Sequence, residues 1–288
     1  MAQRIVAWDD TTDRLIRTTK DPADVGTASD TGERVNAGSE SITSGATSKA
    51  VTFVNAFSNT LYGIVAQLSN TVDGTVQYQP VTITSKSSSG FTAKFNAPTD
   101  SANYNLEYIA VDPCITYRGG RESLSASVSE ATIAMFLASG HSILSQLHND
   151  TDSTPLFQPV VLTIQETDQD AAVIPTFRNT WNVDTDSANY DLEFVANNVA
   201  CSTAKAFVED LTNGSTTKTI NFPYFDMESN TYAVIARFQN TVDPSTSVLL
   251  QPTTITNKTV SSFTVKWNVP VDSANYRLEW IANVVTTA

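Results

Sequence analysis

Two cysteines and two histidines are all that this 288-residue chain contains of either type, and charged side chains make up only 16%. Two thiols cannot staple a chain of this length, so a disulfide scaffold is excluded. His141 and His148 have no third ligand at metal-like spacing, which leaves a histidine metal centre without material. Cys114 and Cys201 fall at matching places just after two copies of a repeat, as buried or junction residues would. There is no Gly-rich phosphate loop, nucleophile elbow or His-Glu metalloprotease helix, so an enzyme reading has no residue to rest on and no cofactor is implied. No apolar run reaches the roughly eighteen residues of a membrane span. The start MAQRIVAWDDTTDR lacks the basic and apolar segments of a secretory signal, which predicts synthesis in the cytoplasm without membrane insertion. The net charge of −13 disfavours contact with nucleic acid phosphates and serves solubility.

What the chain has in quantity is Thr, Ser, Asn, Val and Ala, a usage that favours strands and turns. Its strongest signal is a repeat: DSANYNLEYIAV from Asp100, DSANYDLEFVAN from Asp186 and DSANYRLEWIAN from Asp272. Phe91, Phe177 and Phe263 correspond, as do Phe95, Trp181 and Trp267, and a Gln-Pro pair precedes an alternating run at Gln79-Pro80, Gln158-Pro159 and Gln251-Pro252. Copy two deviates, because its Gln-Pro comes seven residues early.

Short alternating runs between turn residues predict an all-β chain: three tandem antiparallel β-sandwich units at 45–113, 114–200 and 201–288, behind an N-terminal arm over 1–44 that could anchor the protein. In copy one the strands read as 50–56, 62–68, 78–85, 91–96 and 104–111. Within the arm, Arg4–Trp8 and Arg14–Thr18 could pair as a hairpin, and the remainder has linker composition. Along the last strand of each unit, Tyr104, Leu106 and Tyr108 share one face with counterparts Tyr190, Leu192, Phe194 and Tyr276, Leu278, Trp280; that face belongs in the core. The DSAN box reads as turn chemistry entering this strand. The Asp73, Asp152 and Asp243 loops read as hairpin turns rather than calcium loops.

The opposite face carries Glu107, Glu193 and Glu279 beside Ile109, Val195 and Ile281, unusual for a solvated side. Two readings stand: a contact with a neighbouring unit, with each Glu paired across the seam, or an edge Glu that blunts aggregation. These three residues are the candidate inter-unit interface; the ligand-binding residues are unknown.

The order of Val51-Thr52-Phe53, Tyr62-Gly63-Ile64-Val65, Gly90-Phe91-Thr92-Ala93 and Tyr104–Ala110 resembles the H-type lectins. Ile220-Asn221-Phe222, Tyr232-Ala233-Val234-Ile235, Phe263-Thr264-Val265 and Tyr276–Ala282 repeat that order in copy three. The resemblance implies small six-stranded antiparallel sandwiches, found in agglutinins and in phage tail proteins, that assemble as trimers. It also implies a sugar site built from a Trp-His pair and an Arg. Here the pair falls on Pro98-Thr99, Asp184-Thr185 and Pro270-Val271 and the Arg near Gln79, Gln158 and Gln251, so no family site residue carries over. Three copies in one chain raise two arrangements, an internal pseudo-trimer or three beads in a row. The expected function is that of a non-enzymatic virion protein, a tail fibre or tail-associated adhesin binding host surface polysaccharide or neighbouring virion proteins by multivalent contact. The alternative is a purely structural virion piece, a capsid decoration or baseplate component.

Overall fold

The computed structural model describes residues 6–9, 14–17, 35–112, 117–134, 141–166, 176–198, 204–222, 227, 231–244 and 247–285. The chain divides into a segment over 1–33 and a body over 34–288. In the first, β1 (Val6–Asp9) pairs antiparallel with β2 (Arg14–Arg17), Asp9 opposite Arg14. Cys114 and Cys201 lie outside the described residues.

The body is built from strands in three sets of six. The first set is β3 (Val35–Ser41), β4 (Ser48–Thr52), β5 (Gly63–Asn70), β6 (Val81–Ser87), β7 (Gly90–Phe95) and β8 (Tyr104–Val111). The second is β9 (Tyr117–Ser123), β10 (Glu130–Ala134), β11 (His141–His148), β12 (Val161–Glu166), β13 (Thr176–Thr180) and β14 (Asp191–Asn198). The third is β15 (Ala204–Asp210), β16 (Thr217–Asn221), β17 (Tyr232–Gln239), β18 (Thr253–Thr256), β19 (Ser262–Trp267) and β20 (Arg277–Val284). In each set the first, sixth and third strands form one antiparallel triplet, and the second, fifth and fourth form another. The two triplets face each other as a sandwich filled by the aromatic face of the closing strand. Tyr104, Leu106 and Tyr108 are buried among Phe53, Phe91 and Phe95, and Tyr276, Leu278 and Trp280 are buried among Phe238, Phe263 and Trp267.

The sheets do not stop at the unit boundaries. Each of the three six-stranded sheets joins triplets from two units through one parallel contact: β6 beside β11, β12 beside β17, and β18 beside β5. Unit one thus meets unit two, two meets three, and three returns to one, so the sandwiches close into a ring with pseudo-threefold symmetry. A closed ring removes three pairs of sheet edges that separate sandwiches would expose.

One boundary needs correction. The arm assigned to 1–44 contains β3, which is the first strand of unit one and pairs with β8 along its length, Ala37 opposite Ile109. Its Asn-Ala-Gly-Ser composition looks like linker because the strand is squeezed from one side. A Cβ on Gly38 would sit 2.5 Å from the Tyr108 ring, so no larger residue fits there. The seven additional residues of copy two lie between β12 and β13, where units one and three have tight connections.

Turn chemistry shows the same economy. Gly45 and Gly214, between the first and second strands of units one and three, have φ of 78° and 81°. Unit two places Ser127 there with φ of 62°, a left-handed conformation that disfavours a Cβ. Ser127→Gly is therefore expected to raise stability by about 0.5–1 kcal/mol in urea titrations, the opposite of the usual effect of a new glycine.

Candidate interfaces: three seams and an axial pocket

The face of each closing strand away from its own sandwich points at the ring's centre. Ile109, Val195 and Ile281 meet Val65, Leu144 and Ile235 from the neighbouring strands, all essentially without solvent contact, with Ala37 and Ala206 completing a core shared by the three units. Small residues let backbones approach: a Cβ on Gly63 would fall 2.0 Å from the Phe194 carbonyl oxygen and 2.4 Å from the Gly120 nitrogen, both in unit two.

Glu107, Glu193 and Glu279 lie on this inward face at 1%, 0% and 1% exposure, so none blunts a solvated edge. The structure brings each onto a different seam. Lys258 of unit three donates to Glu107 Oε1 of unit one at 2.8 Å, and the Ser39 and Ser69 hydroxyls donate to the same oxygen. Lys86 of unit one donates to Glu193 Oε1 of unit two at 2.6 Å. Both ammonium groups also donate to a backbone carbonyl, of Tyr232 and Tyr62, and lie over the same tyrosine's ring at 4.8 and 4.3 Å. The residue before each lysine, Ser85 or Asn257, takes a left-handed φ of 51° or 50°, a kink that turns the lysine onto the seam.

The third seam departs from this pattern. Ile164-Gln165 replaces Ser85-Lys86 and Asn257-Lys258: a β-branched residue resists the left-handed turn and the cation is gone. Glu279 there accepts the Ile143 backbone N–H at 2.7 Å and its Oε2 has no partner. Burial pushes its carboxyl up to about 8, only partly opposed by that N–H. A carboxyl raised in the folded state keeps a proton that the unfolded chain has already lost. Stability from this group is therefore full at and below the ordinary glutamate range and falls as pH rises from there to about 8. Thermal melts across that window should show Glu279→Gln flattening the decline and exceeding the parent at pH 8, while matching it near pH 4.

Seam one–two also holds His148, buried on β11. Its Nε2 lies 2.9 Å from Asp150, and its Nδ1 lies 3.4 Å from Asp191 and 3.3 Å from Glu193. Desolvation lowers its pKa, but these carboxylates together outweigh that and raise it to about 9. The imidazolium thus serves as a second buried cation beside Glu193.

On the loops, the DSAN box is more than a corner. Asp73 accepts Ser101 Oγ at 2.5 Å, Asn70 Nδ2 at 2.7 Å and Asn103 Nδ2 at 2.6 Å, tying the β5–β6 loop to the β7–β8 loop. Asp152 and Asp243 repeat this clamp with Ser187 and Asn189, and with Ser273 and Asn275. The following tyrosine fixes the same loop: Tyr104 accepts the Gln77 N–H at 2.6 Å and Tyr190 the Leu156 N–H at 2.7 Å. Hydrogen bonds from Ser101, Asn70 and Asn103 hold Asp73 below its ordinary range, and Asp152 and Asp243 are lowered in the same way. A lowered carboxylate contributes stability above its unfolded pKa and loses it on acidification, here below about pH 4. The triple change Asp73→Asn, Asp152→Asn, Asp243→Asn should weaken the fold at pH 7 and flatten this acid limb, as followed by fluorescence.

At the axis, the three Gln-Pro pairs surround a pocket of about 340 Å³ including its open mouth, with Gln67, Gln146 and Arg237 at equivalent places on its wall. Gln146 accepts the Ala66 N–H at 2.6 Å and Gln67 the Ala236 N–H at 2.8 Å, each across a seam. Of the positions that the lectin resemblance marks for sugar, Pro98, Asp184 and Pro270 are exposed and the others are mostly taken by structural contacts. Thr99, Thr185 and Val271 are buried, and Gln79 and Gln251 clamp the Ala97 and Val269 amides at 2.8 Å.

Fold and seams together define a single-chain ring of three β-sandwiches. No family model, curated protein or solved structure matches the chain.

Proposed function

We propose that the protein is a non-enzymatic phage virion component, a tail fibre or tail-associated adhesin of H-type lectin-like units that binds host surface glycan or neighbouring virion proteins. The observation that carries this reading is the closed ring: one chain reproduces the geometry of a homotrimer and presents three equivalent loop sets at the same end. Weak sites on three such loop sets gain avidity from their high effective concentration. The loops there are rigidified by the aspartate clamps and expose apolar tips, Val72 and Val242 at 71% each. A rigid presenting loop loses less freedom on binding than a slack one.

A second reading, a purely structural capsid decoration or baseplate piece, draws on Thr99 and Thr185, two sugar-site positions whose buried hydroxyls are tied to the Thr43 and Ser125 carbonyls. Immunogold electron microscopy of intact particles, paired with a glycan array, separates them. Label at tail tips with glycan binding is expected for the adhesin. Label over the capsid of tailless particles, with an empty array, supports decoration; absence from particles overturns both.

A further inference from the structure

The pseudo-threefold repeat is broken three times in the axial pocket. Thr253 stands where units one and two have Val81 and Val160, and its hydroxyl is used, donating to the Ala236 carbonyl and accepting from Gln67 Nε2, both at 2.8 Å. Where units one and two place Gln67 and Gln146, unit three has Arg237; where units one and three place Ala66 and Ala236, unit two has Ser145. Glutamine at this position accepts an amide N–H from the next unit, but a guanidinium has five donors and no acceptor. Arg237 gives three of its donor contacts to neutral oxygens: Gln67 Oε1 at 2.9 Å, the Ala236 carbonyl at 3.1 Å and the Ala66 carbonyl at 2.7 Å. Among the described residues no carboxylate forms an ion pair with it. Its cross-strand neighbour Glu279 accepts the Ile143 N–H instead. The half-buried guanidinium thus has no counter-charge among the described residues, and desolvation lowers its pKa to about 10. On the same pocket, the Ser145 hydroxyl, in a residue 4% exposed, has no hydrogen-bond partner, and neither does Gln158 Oε1.

We infer that the axial pocket holds one small monovalent anion, of halide or carboxylate size, bound by the Arg237 guanidinium with the Ser145 hydroxyl as a second donor. Of the three departures from threefold sequence, Thr253 spends its hydroxyl on the Ala236 carbonyl, while Arg237 and Ser145 add donors to one cavity. A cation without a carboxylate partner and an orphaned hydroxyl lining the same pocket are what such an anion would satisfy. Space for the centre of a water-sized group is small in this pocket, which suits one small ion. Proline on each wall contributes no backbone N–H, which leaves side chains such as Arg237 and Ser145 as donors beside it.

Crystals grown in sodium bromide test this directly. The expected result is one anomalous bromide peak within hydrogen-bond distance of Arg237 and Ser145, lost in Arg237→Gln, which restores the glutamine of the other two units. In solution, replacing a bulky aromatic sulfonate by chloride at constant ionic strength should raise the parent's melting temperature by about 3 °C or more at tenfold excess over Kd, and leave Arg237→Gln unmoved. Acetate in place of chloride shows whether a carboxylate also enters. Should Arg237→Gln fail to fold, Ser145→Ala provides the comparison through reduced bromide occupancy. A parent map without bromide at the axis, or an equal chloride response in parent and variant, overturns the inference.

Discussion

Lys258→Met is expected to destabilise the protein by about 3–5 kcal/mol, the usual cost of leaving one partner of a buried ion pair alone. Among the described residues, Glu107 would then be buried with only the Ser39 and Ser69 hydroxyls as side-chain donors, without a second cation such as the His148 that accompanies Glu193. The lysine is in unit three and the glutamate in unit one, 151 residues apart in sequence, so the loss reports on ring closure and not on either sandwich alone. Replacing both partners, Lys258→Met with Glu107→Leu, should recover most of the loss, because an apolar pair of similar volume often matches a buried ion pair. Urea denaturation of the two single variants and the double closes the cycle. Additive losses, with no recovery in the double, would mean that the two side chains do not interact.

The second large effect falls on the first seam. Gly63→Ala should cost about 3 kcal/mol, at the upper end for overpacking, since the new Cβ would meet the Phe194 carbonyl oxygen and the Gly120 amide. Backbone atoms of a paired strand cannot turn aside as a side chain can, so the strands of units one and two must separate to admit the methyl group. The contrasting control is Gly74→Ala, where a Cβ meets nothing within 4 Å and little change is expected. Equal effects at Gly63 and Gly74 in thermal melts would show that the two units do not pack as closely as described.

Much of this architecture was legible in the sequence because repetition multiplies weak signals. A strict alternation over 104–111 puts Tyr104, Leu106 and Tyr108 on one face, and that face fills the sandwich. The glutamates pointed to two opposite environments, an edge or a seam. Their partners carried the deciding signal: Lys86 and Lys258 follow Gln79 and Gln251 at the same distance, whereas Gln165 stands at that distance from Gln158. The clamps were also written as a repeated Asn-x-x-Asp, at Asn70, Asn149 and Asn240, but local turn chemistry explains such a pattern equally well. Only the fold brings it to the distant Ser and Asn of the DSAN box. Strand β3 escaped notice because alanine and glycine mark loops and close packing alike, and no sequence feature says which ring lies over Gly38. Arg237 was invisible for a different reason. Its meaning comes from two glutamines in other units that share its place around the axis.

The central claim is that the third sandwich returns to the first. Nitroxide labels at Val72→Cys, Thr151→Cys and Val242→Cys, taken two at a time in a chain whose Cys114 and Cys201 are replaced, measure the distances between equivalent exposed loops by pulsed electron resonance. A closed ring predicts three matching distances. A Val72-to-Val242 separation roughly twice either of the other two, as beads on a line would give, would contradict it.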